Sequence, residues 1–159
     1  MPVARARRAP VYRRLLVPTD GSPLAARARK AALALARAFD ASITAVHVMA
    51  PYSAEAAAEA GGAGPPTVSR EEYERLAARR GHACLRKMVA GARRAHIAVE
   101  TALVTSGDTA EAIADAVREH RCDLVVMATS NRTGFARLML GSVTAEVLAR
   151  SPAPVLVCR

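Results

Sequence analysis

Tryptophan is absent from this 159-residue chain, which holds only two phenylalanines and three tyrosines. A core without aromatic bulk must be filled by Leu, Val, Ile and Ala, the composition of helices packed on thin aliphatic strands. Cysteine is scarce too: Cys84, Cys122 and Cys158 are odd in number, widely spaced and free of any C-x-x-C pair. That pattern excludes a disulfide framework and a zinc site and predicts a reducing, cytoplasmic setting. No apolar run approaches the roughly 20 residues that span a bilayer, so a soluble protein without membrane contact is expected. The four histidines show no metal-ligand spacing, and no metal site is predicted.

Acidic residues are the other shortage, 14 against 23 basic ones for a net charge of +9. The imbalance is concentrated in residues 1–37, where Asp20 is the single acid among Arg5, Arg7, Arg8, Arg13, Arg14, Arg27, Arg29, Lys30 and Arg37. The expected organisation is a basic N-terminal tail over residues 1–11 and one domain over residues 12–159, since this length suits a single core. The tail lacks the apolar stretch of a secretory signal. A basic segment keeps a protein soluble and also attracts polyanions. With no aromatic residues interleaved and no helix-turn-helix signature, nucleic acid is not the expected partner.

What is present is an alternation of strand-like and helix-like segments, the signature of an α/β fold with a parallel sheet. Strands are predicted over Arg14–Pro18, Ser42–Met49, residues 97–104, Leu124–Ala128 and Val155–Cys158. Ser22 is predicted to cap a first helix with Pro23 in its first turn, burying Leu24, Ala28, Ala31 and Leu35. The pairs Ser69/Glu72 and Asp108/Glu111 have capping-box spacing and open two further helices, the second covering Ala112, Ile113, Ala116 and Val117. Residues 50–68, rich in Ala, Gly and Pro, read as a flexible loop. The last helix opens at Gly141-Ser142 beside the carboxyl end of the fourth strand. Backbone N–H groups and the helix dipole make such a start an anion site.

The run Leu15-Leu-Val-Pro-Thr-Asp-Gly-Ser22 and the stretch from Val125 through Gly141-Ser142 to Val157 resemble the first turn and the C-terminal signature of universal stress protein domains. The resemblance extends from Tyr12 to Val157. It implies a Rossmann-like, adenine nucleotide alpha hydrolase-like fold: five parallel strands in the order 3-2-1-4-5, helices on both faces, and a crevice between strands one and four. Family members that bind nucleotide carry Gly-x-x-Gly, nine residues, then Gly-Ser or Gly-Thr. That pattern falls here on Ala128, Asn131, Gly141 and Ser142, so two of three glycines are replaced. Ala128 adds a methyl group where a backbone would approach a ligand, whereas Asn131 tolerates left-handed geometry. Arg132 and Arg137 offer charge in place of lost N–H contacts, and Gly134 keeps slack in the loop.

By resemblance the nucleotide-binding residues are Pro18, Thr19, Asp20, Val48, Met127, Ala128, Asn131, Arg132, Gly141, Ser142 and Val143, with ATP or AMP and a Mg or Mn ion as the implied guests. Asp20 accepts a ribose hydroxyl or holds a metal in that reading; otherwise it forms an Asx turn with Gly21 and Ser22. Ser142 serves as a phosphate ligand, a helix cap or both. His47, a lone strand histidine, reads as structural. No G-x-x-x-x-G-K-[ST] occurs, no G-x-G-x-x-G follows the first strand, and no nucleophile has a base beside it in sequence, so an enzyme is not expected. The expected function is a stress-responsive homodimeric regulator, paired through the last strand at Pro154, Val155, Leu156, Val157 and Cys158, which closes an exposed apolar edge. The rival is a ligand-free interaction module whose basic N-terminal region docks an acidic partner or nucleic acid.

Overall fold

The structure, a computed structural model, describes residues 11–53, 68–129 and 141–158. The described elements run β1 (Arg14–Pro18), α1 (Ala25–Phe39), β2 (Ser42–Met49), α2 (Arg70–Arg94), β3 (Val99–Thr105), α3 (Thr109–Glu119), β4 (Leu124–Ala128), α4 (Ser142–Arg150) and β5 (Val155–Cys158). The strands form one parallel sheet in the order β3-β2-β1-β4-β5, the order that the family resemblance implies. Residues 54–67, most of the predicted loop, lie outside the described residues.

Strand periodicity sorts the core into two layers. Leu15, Val17, Ile43, Ala45, Leu124 and Val126 face α1 and α2, where Ala32, Ala36, Leu85 and Met88 meet them. Leu16, Val46, Val125 and Met127 point the other way, onto Ile113, Ala116 and Val117 of α3 and Val147 of α4. Because successive side chains of a strand alternate faces, one apolar run feeds both layers. Each fully buried Leu or Val contributes about 1.5–3 kcal/mol relative to exposure.

The buried stripe of α1 is Ala25, Ala28, Ala32 and Ala36, a rotation from the predicted Leu24, Ala28, Ala31 and Leu35. Small side chains let the helix backbone come close to the sheet, and the larger Leu35 packs with Ala31 at the margin of the cluster. The helix also starts later than predicted, at Ala25, yet Ser22 does cap it: its Oγ accepts the Ala25 N–H at 3.1 Å.

The two capping boxes hold on the N-terminal side, with Ser69 Oγ accepting the Glu72 N–H at 3.2 Å and Asp108 Oδ1 accepting the Glu111 N–H at 3.0 Å. The helix ends share a different device. After α1, α2 and α3 the chain turns through a left-handed residue, Asp40, His96 and Arg121, and the next N–H reaches back to Ala36, Ala92 and Val117. This Schellman closure reverses the chain into the following strand. It delays β3 to Val99, two residues past the predicted start, because Ile97 is still bonded to Ala92.

Candidate functional site

The β1–β4 ladder has only two register pairs, Leu15 with Leu124 and Leu16 with Val125. Beyond them the two strands part at the point where the strand order reverses, the place where open α/β sheets bind ligands. A cleft of about 270 Å³ opens there.

One wall is the turn after β1. Thr19 extends the ladder by donating its N–H to the Val46 carbonyl at 2.9 Å. Gly21 follows at φ +77°, a left-handed conformation that suits glycine. Asp20 Oδ1 accepts the Ser22 N–H at 2.9 Å, so the Asx turn is formed, and the carboxylate is exposed. Thr19 Oγ1 accepts the Gly21 N–H at 3.3 Å. From outside the turn, His47 Nδ1–H donates to the Thr19 carbonyl at 2.7 Å and Lys87 Nζ donates to the Gly21 carbonyl at 3.4 Å. His47 therefore has the structural role the sequence suggests.

The opposite wall is the end of β4 with the start of α4. Thr129, nearly fully buried, donates its N–H to the Cys158 carbonyl at 3.1 Å, while its Oγ1 accepts the Gly141 N–H at 3.3 Å. One side chain thus fixes the N-terminus of α4 to the sheet. Gly141 is the N-cap and makes no side-chain cap. Ser142 is the first helical residue and exposed, so its hydroxyl does not cap the helix; the capping part of its sequence reading is corrected. The reason is that glycine at 141 takes the extended cap conformation itself.

Nine of the eleven sequence-predicted residues line this cleft: Pro18, Thr19, Asp20, Val48, Met127, Ala128, Gly141, Ser142 and Val143. Asn131 and Arg132, together with Gly134 and Arg137, lie outside the described residues. Ser22, Val46 and His47 line it too, and sequence reasoning missed Leu24, Ala25, Thr109, Ile113 and Thr144 as lining residues. Ile113 and Ala25 look like ordinary core positions of amphipathic helices, so no sequence signal distinguishes them. Thr109 did carry one, standing just after the Asp108 cap at a second helix start beside the cleft.

The α4 wall is braced from its far end. Arg150 Nη1 donates to Asp108 Oδ2 at 2.6 Å and lies near Glu111, while Nη2 pairs with Glu146. The Glu111 N–H and then the Arg150 guanidinium hold the Asp108 carboxyl below its ordinary range. Among the described residues no cationic side chain lines the cleft, and no group of three metal-ligating side chains gathers anywhere. An anion here is met by the α4 start and by hydroxyls, and Asp20 keeps one carboxylate oxygen beyond its turn bond. That donor set suits a ribose or a metal already carried by phosphates. Ala128 puts its methyl group where the family pattern has hydrogen.

The universal stress protein family model matches residues 11–159. A universal stress protein of Methanocaldococcus jannaschii is 31% identical over 151 residues, covering 94% of this chain and 83% of its own. One from Thermus aquaticus is 30% identical over 149 residues, covering 94% and 100%. Among solved structures, a universal stress family protein of Burkholderia pseudomallei superposes with a TM-score of 0.71 at 27% identity, covering 92% and 96%. A universal stress protein in complex with cAMP gives 0.67 at 27% identity over 93% and 97%. The Archaeoglobus fulgidus protein in complex with dAMP shares the fold at 0.64 and 21% identity over 94% and 99%.

Proposed function

Because the chain belongs to the universal stress protein family, we propose that it is a non-catalytic regulator that binds an adenine nucleotide, ATP or AMP, in the cleft between β1 and β4. The observation that carries this reading is the convergence of nine pattern residues on one cleft at a helix N-terminus. The cAMP complex of a relative at 27% identity supports the nucleotide class.

In this reading the N–H groups of Ser142 and Val143 at the start of α4 donate to phosphate oxygens, while the Gly141 N–H stays on Thr129 Oγ1 and Gly141 lines the approach. Asp20 accepts a ribose hydroxyl or holds the Mg or Mn ion that bridges phosphates, and the Val48 backbone meets the base. Pro18, Thr19 and Met127 shape the walls, and Asn131 and Arg132 contribute from the phosphate loop. Nucleotide occupancy biases the α4 wall and so the choice of protein partner. The regulator acts in the cytoplasm as a homodimer paired through β5, the sheet edge, where Leu156 is 40% exposed.

Calorimetric titration with ATP plus Mg or Mn tests the site. Native protein is expected to bind, and Ala128→Gly/Asn131→Gly to bind about tenfold more tightly, roughly 1.4 kcal/mol. Asp20→Ala is expected to weaken binding by a similar factor. Silence from both the native protein and the double-glycine variant would remove the nucleotide reading.

A further inference from the structure

We infer that the outer surface of α1 and α2 is a docking face for double-helical nucleic acid, engaged through its phosphates. The two helices lie side by side on one face of the sheet, sharing the cluster that contains Ala32, Ala36, Leu85 and Met88. They touch where Leu33 meets Gly91: Leu33 Cδ1 lies 2.9 Å from the position a Cβ on Gly91 would take. Lys30 and Arg37 stand one turn before and after Leu33, and Lys87 and Arg94 one turn before and after Gly91, so four exposed cations border one seam. Arg27 and Arg86 widen the band.

No acid faces them from either helix. Residues 25–39 contain none, and α2 contains none after Glu74. Among the described residues the ion pairs confirm the asymmetry. Arg118 and Arg150 on the opposite side are paired with Glu111, Asp115, Asp108 and Glu146, whereas on the α1/α2 side the acids stand at the helix ends, Glu72 on Arg75 in the first turns of α2 and Asp40 just after α1.

The occupant follows from what the face lacks. Val11, Val143, Leu148 and Leu156 are the exposed large apolar side chains among the described residues, and none belongs to α1 or α2. There is no wedge for a bilayer and no apolar anchor for a protein partner. The single aromatic residue of α2, Tyr73, is buried, and Phe39 of α1 packs on Tyr12, so bases of a single strand find no stacking platform. Regularly spaced duplex phosphates need only cations. Arg27, Lys30 and Arg37 belong to the basic region visible in the sequence, but their meeting with Lys87 and Arg94 was not legible there, because α1 and α2 are 30 or more residues apart.

Fluorescence anisotropy of a labelled random-sequence DNA duplex of about 20 base pairs, titrated with full-length protein between low and physiological salt, tests the proposal. Native protein is expected to bind with a steep salt dependence. Lys30→Gln/Arg37→Gln/Lys87→Gln/Arg94→Gln is expected to lose at least about tenfold in affinity, its salt slope falling by roughly 3 to 4 at about 0.9 per phosphate contact. The half-variants Lys30→Gln/Arg37→Gln and Lys87→Gln/Arg94→Gln should each lose part of it, the first, which leaves the Lys87 bond to the Gly21 carbonyl in place, with unchanged melting temperature. Arg5→Gln/Arg7→Gln/Arg8→Gln in the tail should retain most of the binding. The inference is overturned if the seam variants bind like native, if the tail variant accounts for the loss, or if polyglutamate or phosphatidylserine vesicles are bound in preference to the duplex.

Discussion

At the scale of single residues, Gly21 is the position where the backbone dictates the side chain. Its φ of +77° is costly for any L residue, and a Cβ there would stand 2.5 Å from Cys84 Sγ. Gly21→Ala should therefore lose about 1–2 kcal/mol from backbone strain alone. The sulfur can rotate away, so adding Cys84→Ala should recover only the smaller part of the loss. Urea unfolding of the two variants measures both quantities, and an unchanged midpoint in Gly21→Ala would show that the turn relaxes freely. The glycine was legible as part of a Thr-Asp-Gly-Ser turn, but its contact with Cys84 was not, because 63 residues separate them. Thr129 teaches the same lesson: between an apolar strand and a polar loop nothing marks it as the clasp on the Gly141 N–H.

At the scale of elements, the working part of the cleft is α4, held at one end by Thr129 and at the other by Arg150 on Asp108. Asp108 both caps α3 and receives Arg150, and its carboxyl is held down by these partners. A carboxyl depressed in the folded state gives stability that is complete above its unfolded pKa, about 3.9 for a free Asp, and is lost as pH falls through the folded value. Native protein should therefore melt higher than Asp108→Ala near neutral pH, with the gap closing at pH values below the ordinary carboxylate range. A gap that stays constant down to strongly acid pH would mean that the charge plays no part. The strand and helix spans themselves were legible because caps and apolar runs are local signals. The face of α1 was not: alanine and leucine both satisfy helical spacing, and only the closeness of the sheet selects Ala25, Ala28, Ala32 and Ala36.

At the scale of the whole molecule, β5 ends the sheet with Leu156 outward and Val155 packed beneath α3 and α4. Charge at Leu156 should separate a β5-paired dimer without disturbing the core, since the side chain is 40% exposed. Sedimentation of Leu156→Lys at micromolar concentration should give a monomer with native melting behaviour; a variant as dimeric as the native protein would place the interface elsewhere. The two helix layers divide the remaining surface by charge, with a network of paired ions over α3 and α4 and an excess of cations along the α1/α2 seam, where α2 has no acid after Glu74. The sequence by itself determined the alternation of strands and helices, the caps and the residues of the nucleotide pattern, because these are set by neighbours a few positions away. Only the tertiary structure decided which alanines face the sheet, which threonine holds α4, and that Lys30, Arg37, Lys87 and Arg94 share one seam. Those contacts join segments distant along the chain, and they exist only once right-handed crossovers have laid α1 and α2 side by side on one face.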